Sequence, residues 1–323
     1  MVRRTVPKNI LAVRTDRFGE FLLNIPAFRA LKLKFPEAKL TLVVNPYVQE
    51  LARCIDVVDE VIPWENKKHR LQDVYRFSEK LKKKNFGLCV IFNPSKEFNI
   101  ISFLAGIPLR AGYARKWGFL LTHKIPDEKH LGDRHEIEYN LDLVKLIGAA
   151  ADDKKLSLVI NEDLAEQLLK GIDLNNSIVI HPWTSDLLKQ WPTHKFFLLA
   201  QRLTKELRLT VIFIGGKEES DNSGELFAGF KDSVINLTGK TSLTQLAAVL
   251  KQSKLLISGD SGPVHLACCV GTPVVAIFRN DMPGKSPVRW GPRSEGSIVV
   301  EKNNLFNISV EEVFDKVKEI LSR

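Results

Sequence analysis

Four residues near position 260, lying between two apolar runs, could together bind a phosphorylated ligand. They are Asp260, Ser261, Gly262 and His265. The surrounding pattern predicts a buried strand that turns into a helix, with Pro263 in the first helical turn and Gly271 just beyond the last. A glycine lets the backbone approach a ligand, and the N–H groups that begin a helix bind anions. The turn therefore predicts a site for a phosphorylated sugar, in which Asp260 accepts hydrogen bonds from hydroxyl groups.

Two further strand ends in the second half of the chain carry residues of similar chemistry. Thr184, Ser185 and Lys189 follow one apolar run, and hydroxyls with a lysine suit phosphate oxygens. Glu218 follows another run, where a carboxylate can accept from ribose hydroxyls. Any one of the candidates could serve only as a helix cap, a surface charge or a core histidine. Their grouping at strand ends favours a ligand site.

The first half of the chain offers one comparable turn, RTDRFGE at positions 14–20. It lacks the spacing G-x-G-x-x-G, so the dinucleotide-binding fingerprint is absent. Glu20 falls in the first turn of the next predicted helix, where a glutamate often only compensates the helix dipole. At a strand end that faces a second domain, the same carboxylate can act as a general base.

Strands alternate with helices along the chain, which predicts α/β domains with doubly wound parallel sheets. Because 323 residues exceed the usual size of one core, two Rossmann-like domains facing a cleft are expected. A polar stretch at 148–175 sets the boundary, with an N-terminal domain at 1–155 and a C-terminal domain at 156–310. The amphipathic segment 310–323 is expected to form a final helix that crosses back to the first domain. Pro26 predicts a kink or a late start in the first long helix.

Composition narrows the class of protein. No apolar run approaches the roughly 20 residues that span a bilayer, and the N-terminus lacks a signal-peptide pattern, so a cytoplasmic protein is expected. The cysteines show no metal-ligand spacing, and the apolar surroundings of Cys268 and Cys269 indicate core packing. The formal net charge of +9 predicts a polyanionic partner: nucleic acid, an anionic membrane surface or a phosphorylated substrate.

Basic residues concentrate in two stretches of the first domain. Positions 65–85 hold eight Lys and Arg against three acidic residues, and YARKWG follows at 113–118. The candidate contacts for an anionic substrate are Lys67, Lys68, Arg70, Arg115 and Lys116, whereas Lys82–Lys84 indicate a solvated helix face. Interleaved aromatic residues favour a peripheral contact with a membrane surface; they are Trp64, Tyr75, Phe77 and Trp117.

Five stretches, in order along the chain, carry a family resemblance: ILAVRTDRFGEFLLNIPAFRALKLKFPEAKLTLVV, HPWTSDLLKQWP, GGKEE, NLTGKTSLTQLAAVL and SGDSGPVHLACCVGTPVVAIF. Together they resemble the ADP-heptose:lipopolysaccharide heptosyltransferases, glycosyltransferase family 9, nearly end to end. The resemblance implies a GT-B fold and a heptose transfer from ADP-heptose to the anionic, Kdo-bearing lipopolysaccharide core. It also implies inversion at the sugar, no catalytic metal and no cofactor, and the chain contains no Asp-x-Asp triplet.

The resemblance also assigns roles by position. It places Thr184, Ser185 and Lys189 at the diphosphate. It places Glu218 at the nucleoside and Thr241 near the adenine. The residues along the sugar and phosphates are Asp260, Ser261, Gly262 and His265, and Glu20 is the base. Two positions depart from the family pattern. Glu20 replaces the usual aspartate and carries its carboxylate one methylene farther out, and Arg279 stands where a small turn is common.

Other functions remain open from the residues alone. A nucleotide-sugar 2-epimerase would use the same scaffold, but it needs further acid and base groups and has little use for a basic first domain. A catalytically silent relative would bind the nucleotide sugar and never release the nucleotide. Nucleic-acid binding rests on charge without a recognised motif and is the least favoured.

Overall fold

The computed structural model of the protein describes residues 6–220, 227, 230 and 234–323, and all candidate site residues lie within these ranges. The chain divides into two compact units, Met1–Lys155 and Leu156–Arg323. Over the described ranges, each unit is built on a six-stranded parallel sheet, as the alternation of strands and helices predicts. No helix in this part of the chain is both long and apolar enough to cross a membrane.

The first unit contains a sheet whose strands are all parallel. The strands are β1 (Asn9–Arg14), β2 (Lys39–Val44), β3 (Glu60–Pro63), β4 (Leu88–Ile91), β5 (Leu109–Tyr113) and β6 (His123–Ile125). Their spatial order is β3-β2-β1-β4-β5-β6. Residues Ile10 to Val13 of β1 have at most 1% of their surface exposed, because helices cover both faces of a parallel sheet.

The helices of the first unit are mostly short. They are α1 (Phe18–Leu22), α2 (Ile25–Lys34), α3 (Gln49–Arg53), α4 (Leu71–Lys82), α5 (Lys96–Leu104) and α6 (Glu136–Lys145), with 3-10 turns at Pro46–Val48 and Gly118–Leu120. Pro26 lies in the first turn of α2, where its missing N–H costs no helical hydrogen bond. Of the two outcomes predicted for this proline, the late helix start is therefore confirmed.

The second unit repeats this architecture with another all-parallel sheet. Its strands are β7 (Ser177–His181), β8 (Thr210–Phe213), β9 (Val234–Asn236), β10 (Leu256–Gly259), β11 (Val274–Phe278) and β12 (Ile298–Glu301). Its helices are α7 (Asp163–Leu168), α8 (Thr193–Glu206), α9 (Lys217–Ser220), α10 (Leu243–Gln252), α11 (Gly262–Val270), α12 (Pro287–Trp290) and α13 (Val310–Leu321), with 3-10 turns at Leu174–Asn176, Leu187–Lys189 and Leu305–Asn307.

The final helix, α13, packs within the second unit. Val313, Phe314 and Val317 are buried in the same apolar cluster as residues of α8 and β8. A capping box at Ser309 and Glu312 fixes its start. The apolar face of this helix is thus part of the core of the second unit, and its crossing back to the first domain stays a prediction.

Both sheets have the same strand order, since the second reads β9-β8-β7-β10-β11-β12 from one edge. This is the Rossmann order, in which the chain reverses its direction of sheet growth after the third strand. The reversal lies between β1 and β4 in the first unit and between β7 and β10 in the second. Ligands of such sheets bind at the carboxyl ends of the strands at this point, so each unit has one predicted site.

Candidate active site

In the second unit, the reversal point brings a histidine and two serines together. His181 ends β7 and pairs in register with Ser258 of β10. Its Nδ1 lies 3.1 Å from the Ser261 hydroxyl and 3.3 Å from that of Ser258, and the two hydroxyls lie 2.8 Å apart. Burial lowers the pKa of His181 to about 4, so the ring is neutral at physiological pH. A neutral imidazole can hold the Ser261 hydroxyl in one orientation without adding a positive charge to this part of the unit.

Helix α11 begins directly after these serines, with Pro263 in its first turn. Ser261 is the N-cap residue, but its side chain makes no capping bond to the helix. Gly271 ends the helix in the left-handed conformation with φ 83°, as its sequence position predicts. The Ser261 hydroxyl is thus oriented by His181 and Ser258, and the N–H groups of the first turn of α11 supply the anion-binding end of a helix.

Lys189 and Asp260 form an ion pair at the same edge of the sheet. Their side chains are 17% and 9% exposed, so the pair is mostly shielded from water. Lys189 is the last residue of the 3-10 turn Leu187–Lys189, which Asp186 caps by accepting from the Leu188 N–H at 3.1 Å. An ammonium group carries three N–H donors, so Lys189 can hold Asp260 and a phosphate oxygen at once.

The loop that carries Lys189 is fixed by contacts from the loop after β11. Lys285 lies 2.9 Å from the Asp186 carboxylate. The Arg279 guanidinium donates to the Leu188 carbonyl at 3.1 Å and pairs with Asp281. Arg279, which departs from the family pattern, therefore braces the loop that carries Lys189.

Gly259 lets the two candidate segments approach each other. A Cβ at this position would lie 3.1 Å from the Thr184 methyl group and 3.5 Å from the Lys189 carbonyl oxygen. Thr184 itself is committed to the loop, because its hydroxyl donates to the Asp186 carbonyl at 2.8 Å and its N–H donates to the Gln190 side chain at 2.9 Å. Thr184 thus shapes the loop whether or not it also contacts a ligand.

The remaining candidates of the second unit lie on loops and helices that follow neighbouring strands. Ser185 follows β7 and is exposed, Glu218 follows β8 on α9 and is exposed, and Thr241 follows β9 and is half-buried. His265 is buried in α11 with its ring 6.1 Å from the indole of Trp290. Because β7, β8 and β9 are adjacent, their three loops lie along one edge of the sheet, beside the Lys189–Asp260 pair.

In the first unit, the reversal point holds a buried arginine surrounded by carboxylates. Arg14 ends β1 with 5% of its surface exposed, and its Nε donates to Asp16 at 2.6 Å. Its Nη1 donates to the Phe92 carbonyl just after β4 at 3.2 Å and lies 3.6 Å from Glu136. Glu136 is fully buried at the start of α6 and also pairs with Lys129. This network ties the ends of β1 and β4 to α6.

Glu20 lies on α1, a few residues after Arg14, and is half-buried. Burial raises the pKa of its carboxyl, the charge of Asp16 raises it further, and the charge of Arg14 opposes both effects. A carboxylate with a raised pKa is a stronger proton acceptor than an ordinary surface glutamate, as a general base requires.

The two basic loops of the first unit are both anchored by α5. Glu97 accepts from the Trp64 indole at 2.7 Å and lies 3.1 Å from His69, which holds the loop that carries Lys67, Lys68 and Arg70. Asn99 donates to the Lys116 carbonyl at 2.9 Å and so holds the loop of Arg115 and Lys116. One helix therefore fixes both loops of candidate acceptor contacts relative to each other.

These five cations remain at the surface. Lys67 pairs with Glu65, Arg115 lies 2.7 Å from Asp127, and Arg70 is the N-cap residue just before α4. The side chains of Lys67 and Arg115 are 62% and 58% exposed. Exposed pairs of this kind contribute little to stability, so these cations are available for an anionic ligand.

Several residues of these sites were not predicted from the sequence. They are Arg14, Glu97, Asn99, Glu136 and His181. For Arg14 and His181 the sequence did contain one signal, because each is a basic residue that closes an apolar strand.

Among the described residues, no three His, Cys, Asp or Glu side chains come together in a set that could hold a metal ion. The four cysteines are free thiols, and all but Cys54 are buried, as core packing predicts.

Two Rossmann-like units in one chain, each with a parallel sheet covered by helices, have the architecture of GT-B glycosyltransferases. The structure of E. coli ADP-heptose lps heptosyltransferase II matches with a TM-score of 0.84 at 19% identity, over 97% of this chain and 98% of that one. The predicted GT-B fold class is confirmed.

The family model for glycosyltransferase family 9 (heptosyltransferase) matches residues 74–318. This chain belongs to glycosyltransferase family 9, and the resemblance read from its motifs is confirmed. A lipopolysaccharide core heptosyltransferase of Haemophilus influenzae is 24% identical over 295 residues, 88% of this chain and 82% of that protein. Lipopolysaccharide heptosyltransferase 3 of Escherichia coli is 22% identical over 323 residues, 94% of this chain and 91% of that protein.

Proposed function

We propose that this glycosyltransferase moves a heptose from ADP-heptose to an anionic lipopolysaccharide-core acceptor, with inversion and without a catalytic metal. The observation that carries the proposal is Glu20, a half-buried carboxyl with a raised pKa at the ligand-binding edge of the first sheet. Membership of family 9 and the names of the relatives support the sugar and the acceptor class, and the name of the matching E. coli structure supports ADP as the nucleotide. We place this reaction in the cytoplasm, as the sequence predicts.

The proposed chemistry is a single displacement. Glu20 accepts the proton of an acceptor hydroxyl as that oxygen forms a bond to the anomeric carbon of the heptose. The bond from this carbon to the diphosphate oxygen breaks on the opposite face, which inverts the configuration. Negative charge then grows on the leaving ADP, where Lys189 and the N–H groups that begin α11 stabilise it.

The donor site lies in the second unit. Thr184, Ser185 and Lys189 bind the diphosphate, and Glu218 and Thr241 bind the adenosine end. Asp260 accepts from sugar hydroxyls while it stays paired with Lys189. Ser261, Gly262 and His265 complete the site at the start of α11. The His181 contact supports this assignment, because it orients a hydroxyl that the helix cap does not use.

The acceptor site lies in the first unit, on the loops held by α5. Charge supports this division, since residues 1–155 contain 28 Lys and Arg against 19 Asp and Glu, whereas residues 156–323 contain 19 of each. The whole formal excess of nine positive charges therefore belongs to the first unit. Lys67, Lys68, Arg70, Arg115 and Lys116 bind the carboxylates and phosphates of the core.

The first experiment measures ADP release from ADP-heptose, with and without a deeply truncated lipopolysaccharide acceptor. We expect release that depends on the acceptor and falls roughly 100-fold or more in Glu20→Gln, since a positioned base contributes about that much. Glu37→Gln is the matched control, because Glu37 is an exposed glutamate just before β2, at the opposite end of the sheet.

Two results would contradict the transferase assignment, and a third would contradict only the role of Glu20. Sugar interconversion without an acceptor would indicate a 2-epimerase. Donor binding without release in the native protein would indicate a catalytically silent relative. Full activity in Glu20→Gln would remove Glu20 from the mechanism while leaving the transferase assignment intact.

A further inference from the structure

The buried charged side chains of the first unit form one cluster. Among the residues that the structure describes, the buried Lys, Arg, Asp and Glu residues are Arg14, Lys129 and Glu136, with 5%, 8% and 0% of their surface exposed. Lys129 pairs with the Glu136 carboxylate, which lies 3.6 Å from the Arg14 guanidinium, and Arg14 pairs with Asp16 at 2.6 Å. We call these four residues the charge cluster. Apolar side chains of similar volume often stabilise a core as well as buried ion pairs do, so the cluster points to a role besides stability.

The charge cluster is connected to both ends of α1, the helix that carries Glu20. Before the helix, the Asp16 side chain is held by its ion pair with the buried arginine. Beyond the helix, the Asn140 amide donates to the Leu23 carbonyl at 3.2 Å, and the Asn140 side-chain oxygen lies 3.4 Å from the Lys129 ammonium. The cluster therefore holds the segments on either side of α1, and Glu20 lies between them.

The charge cluster also sets the net charge beside Glu20. The charged and titratable groups that act on Glu20 are Arg14, Asp16, Arg17 and Tyr47. A free arginine at this distance would favour the carboxylate and lower the pKa of Glu20. Instead, burial and the charge of Asp16 raise this pKa against the effect of Arg14. The two cations and two carboxylates of the cluster cancel, which leaves Glu20 with little net attraction from Arg14.

We propose that Lys129 and Glu136 are positioning residues, which hold Arg14 and the two ends of α1 in the arrangement that Glu20 needs to act as a base. Glu136 binds Arg14, whereas Lys129 neutralises Glu136 and connects it to Asn140. Buried ionisable groups beside a candidate base are characteristic of functional sites. The inference rests on the proposed function in one respect, that Glu20 is the base.

Two variants each remove one charge from the cluster and nearly preserve the size of the side chain. Glu136→Gln leaves the cluster with a net positive charge, which favours the carboxylate and should lower the pKa of Glu20. Lys129→Met leaves a net negative charge and should raise that pKa. We expect shifts on the order of half a pH unit, below the roughly 1–3 units of a charge in direct contact, because both residues act through Arg14.

The measurement is an NMR titration of the full-length protein, labelled with ¹³C at the side-chain carboxyl carbon of glutamate. Glu20→Gln identifies the signal of Glu20. This readout needs no substrate and no catalysis. In an active protein, the acid limb of kcat/KM for ADP release should move to lower pH in Glu136→Gln and to higher pH in Lys129→Met.

The matched control is an exposed ion pair that includes another residue of α6. The Lys154 ammonium lies 2.6 Å from the Glu138 carboxylate, and their side chains are 51% and 29% exposed. Lys154→Met and Glu138→Gln remove the same charges, but water and salt screen them, so neither should move the pKa of Glu20. Shifts of one sign in both cluster variants, no shift in either, or equal shifts in the controls would overturn the proposal.

The double variant Lys129→Met/Glu136→Gln tests the proposal even where a single variant does not fold, because it leaves neither member of the pair without its partner. Its cluster is neutral again, so the pKa of Glu20 should return to the native value. Its kcat should fall several-fold while the dissociation constant of ADP-heptose stays unchanged, because Arg14 and Asn140 lose their partners. A native kcat, or a pKa displaced as far as in a single variant, would overturn the proposal.

Failure of the proposed function has a different signature. A native protein that releases no ADP with the acceptor would contradict the transferase assignment. The NMR titration would still decide whether Lys129 and Glu136 control Glu20, since it is measured on the free protein. Native ADP release together with an unmoved pKa in both single variants would leave the transferase assignment intact and overturn the positioning role.

Discussion

At the scale of single residues, the first unit is distinguished by a buried charged group, Arg14, at the end of the apolar strand β1. Arg14 is as buried as the core around it, and it is compensated by Asp16, Glu136 and the Phe92 carbonyl. A buried charge without such partners would cost several kcal/mol. The sequence identified Glu20 as the candidate base but could not reveal this network, because Glu136 lies more than 120 positions from Arg14 along the chain.

Asp16 provides a test of Glu20 as the base. The Asp16 charge helps raise the pKa of Glu20, so Asp16→Asn should lower that pKa. A base acts only when deprotonated, so the acid limb of kcat/KM against pH should move to lower pH in this variant. The measurement is the pH profile of ADP release, with Asp152→Asn on the exposed linker as the control. An acid limb that stays in place or moves to higher pH would show that Glu20 does not limit the rate at low pH.

At the scale of secondary-structure elements, local signals located most of the strands and helix ends. Pro26, Pro263 and Gly271 each mark a helix end where their backbone preferences predict one. The packing of α13 was not predictable in the same way, because an amphipathic pattern fixes that a face is buried but not which unit buries it. The joint role of α5 is equally hidden, since Glu97 and Asn99 contact loops from both sides of its sequence position.

The role of α5 predicts a selective effect on the acceptor. Asn99→Ala leaves the carbonyls of the 115–117 turn without their donor, which should cost about 1–3 kcal/mol of unfolding free energy. We expect the KM for the acceptor to rise several-fold while the KM for the donor stays unchanged. Ser102→Ala is the matched control, because Ser102 is buried on the same helix and its hydroxyl donates to the Asn99 carbonyl within it.

The two variants can be distinguished by urea unfolding and by steady-state kinetics. Both should lower the unfolding free energy, but only Asn99→Ala should alter the acceptor KM. If Ser102→Ala raised the acceptor KM to the same extent, general loosening of α5 would explain the effect, and a specific hold on the turn would not be needed.

At the scale of the whole molecule, the chain repeats one topology twice, and the first copy is positively charged whereas the second is neutral. The fold class follows from the alternation of strands and helices, and both strand orders are the Rossmann order. The difference in net charge between the two units can also be counted from the sequence, because residues 1–155 carry a formal +9 and residues 156–323 carry zero. The sequence predicted candidate residues at strand ends, but it could not show which strand ends are neighbours, since this depends on the pairing of β1 with β4 and of β7 with β10.

The charge division predicts how the rate depends on salt. A positive first unit attracts an anionic acceptor over distances comparable to the Debye length, about 8 Å at physiological ionic strength. The value of kcat/KM for a soluble acceptor should therefore fall by roughly tenfold as salt rises through the physiological range. Lys67→Gln/Lys68→Gln should flatten this dependence, whereas Lys316→Gln/Lys318→Gln on the neutral second unit removes the same charge and should not. Equal flattening by both pairs would mean that total charge, and not its placement on the first unit, governs capture of the acceptor.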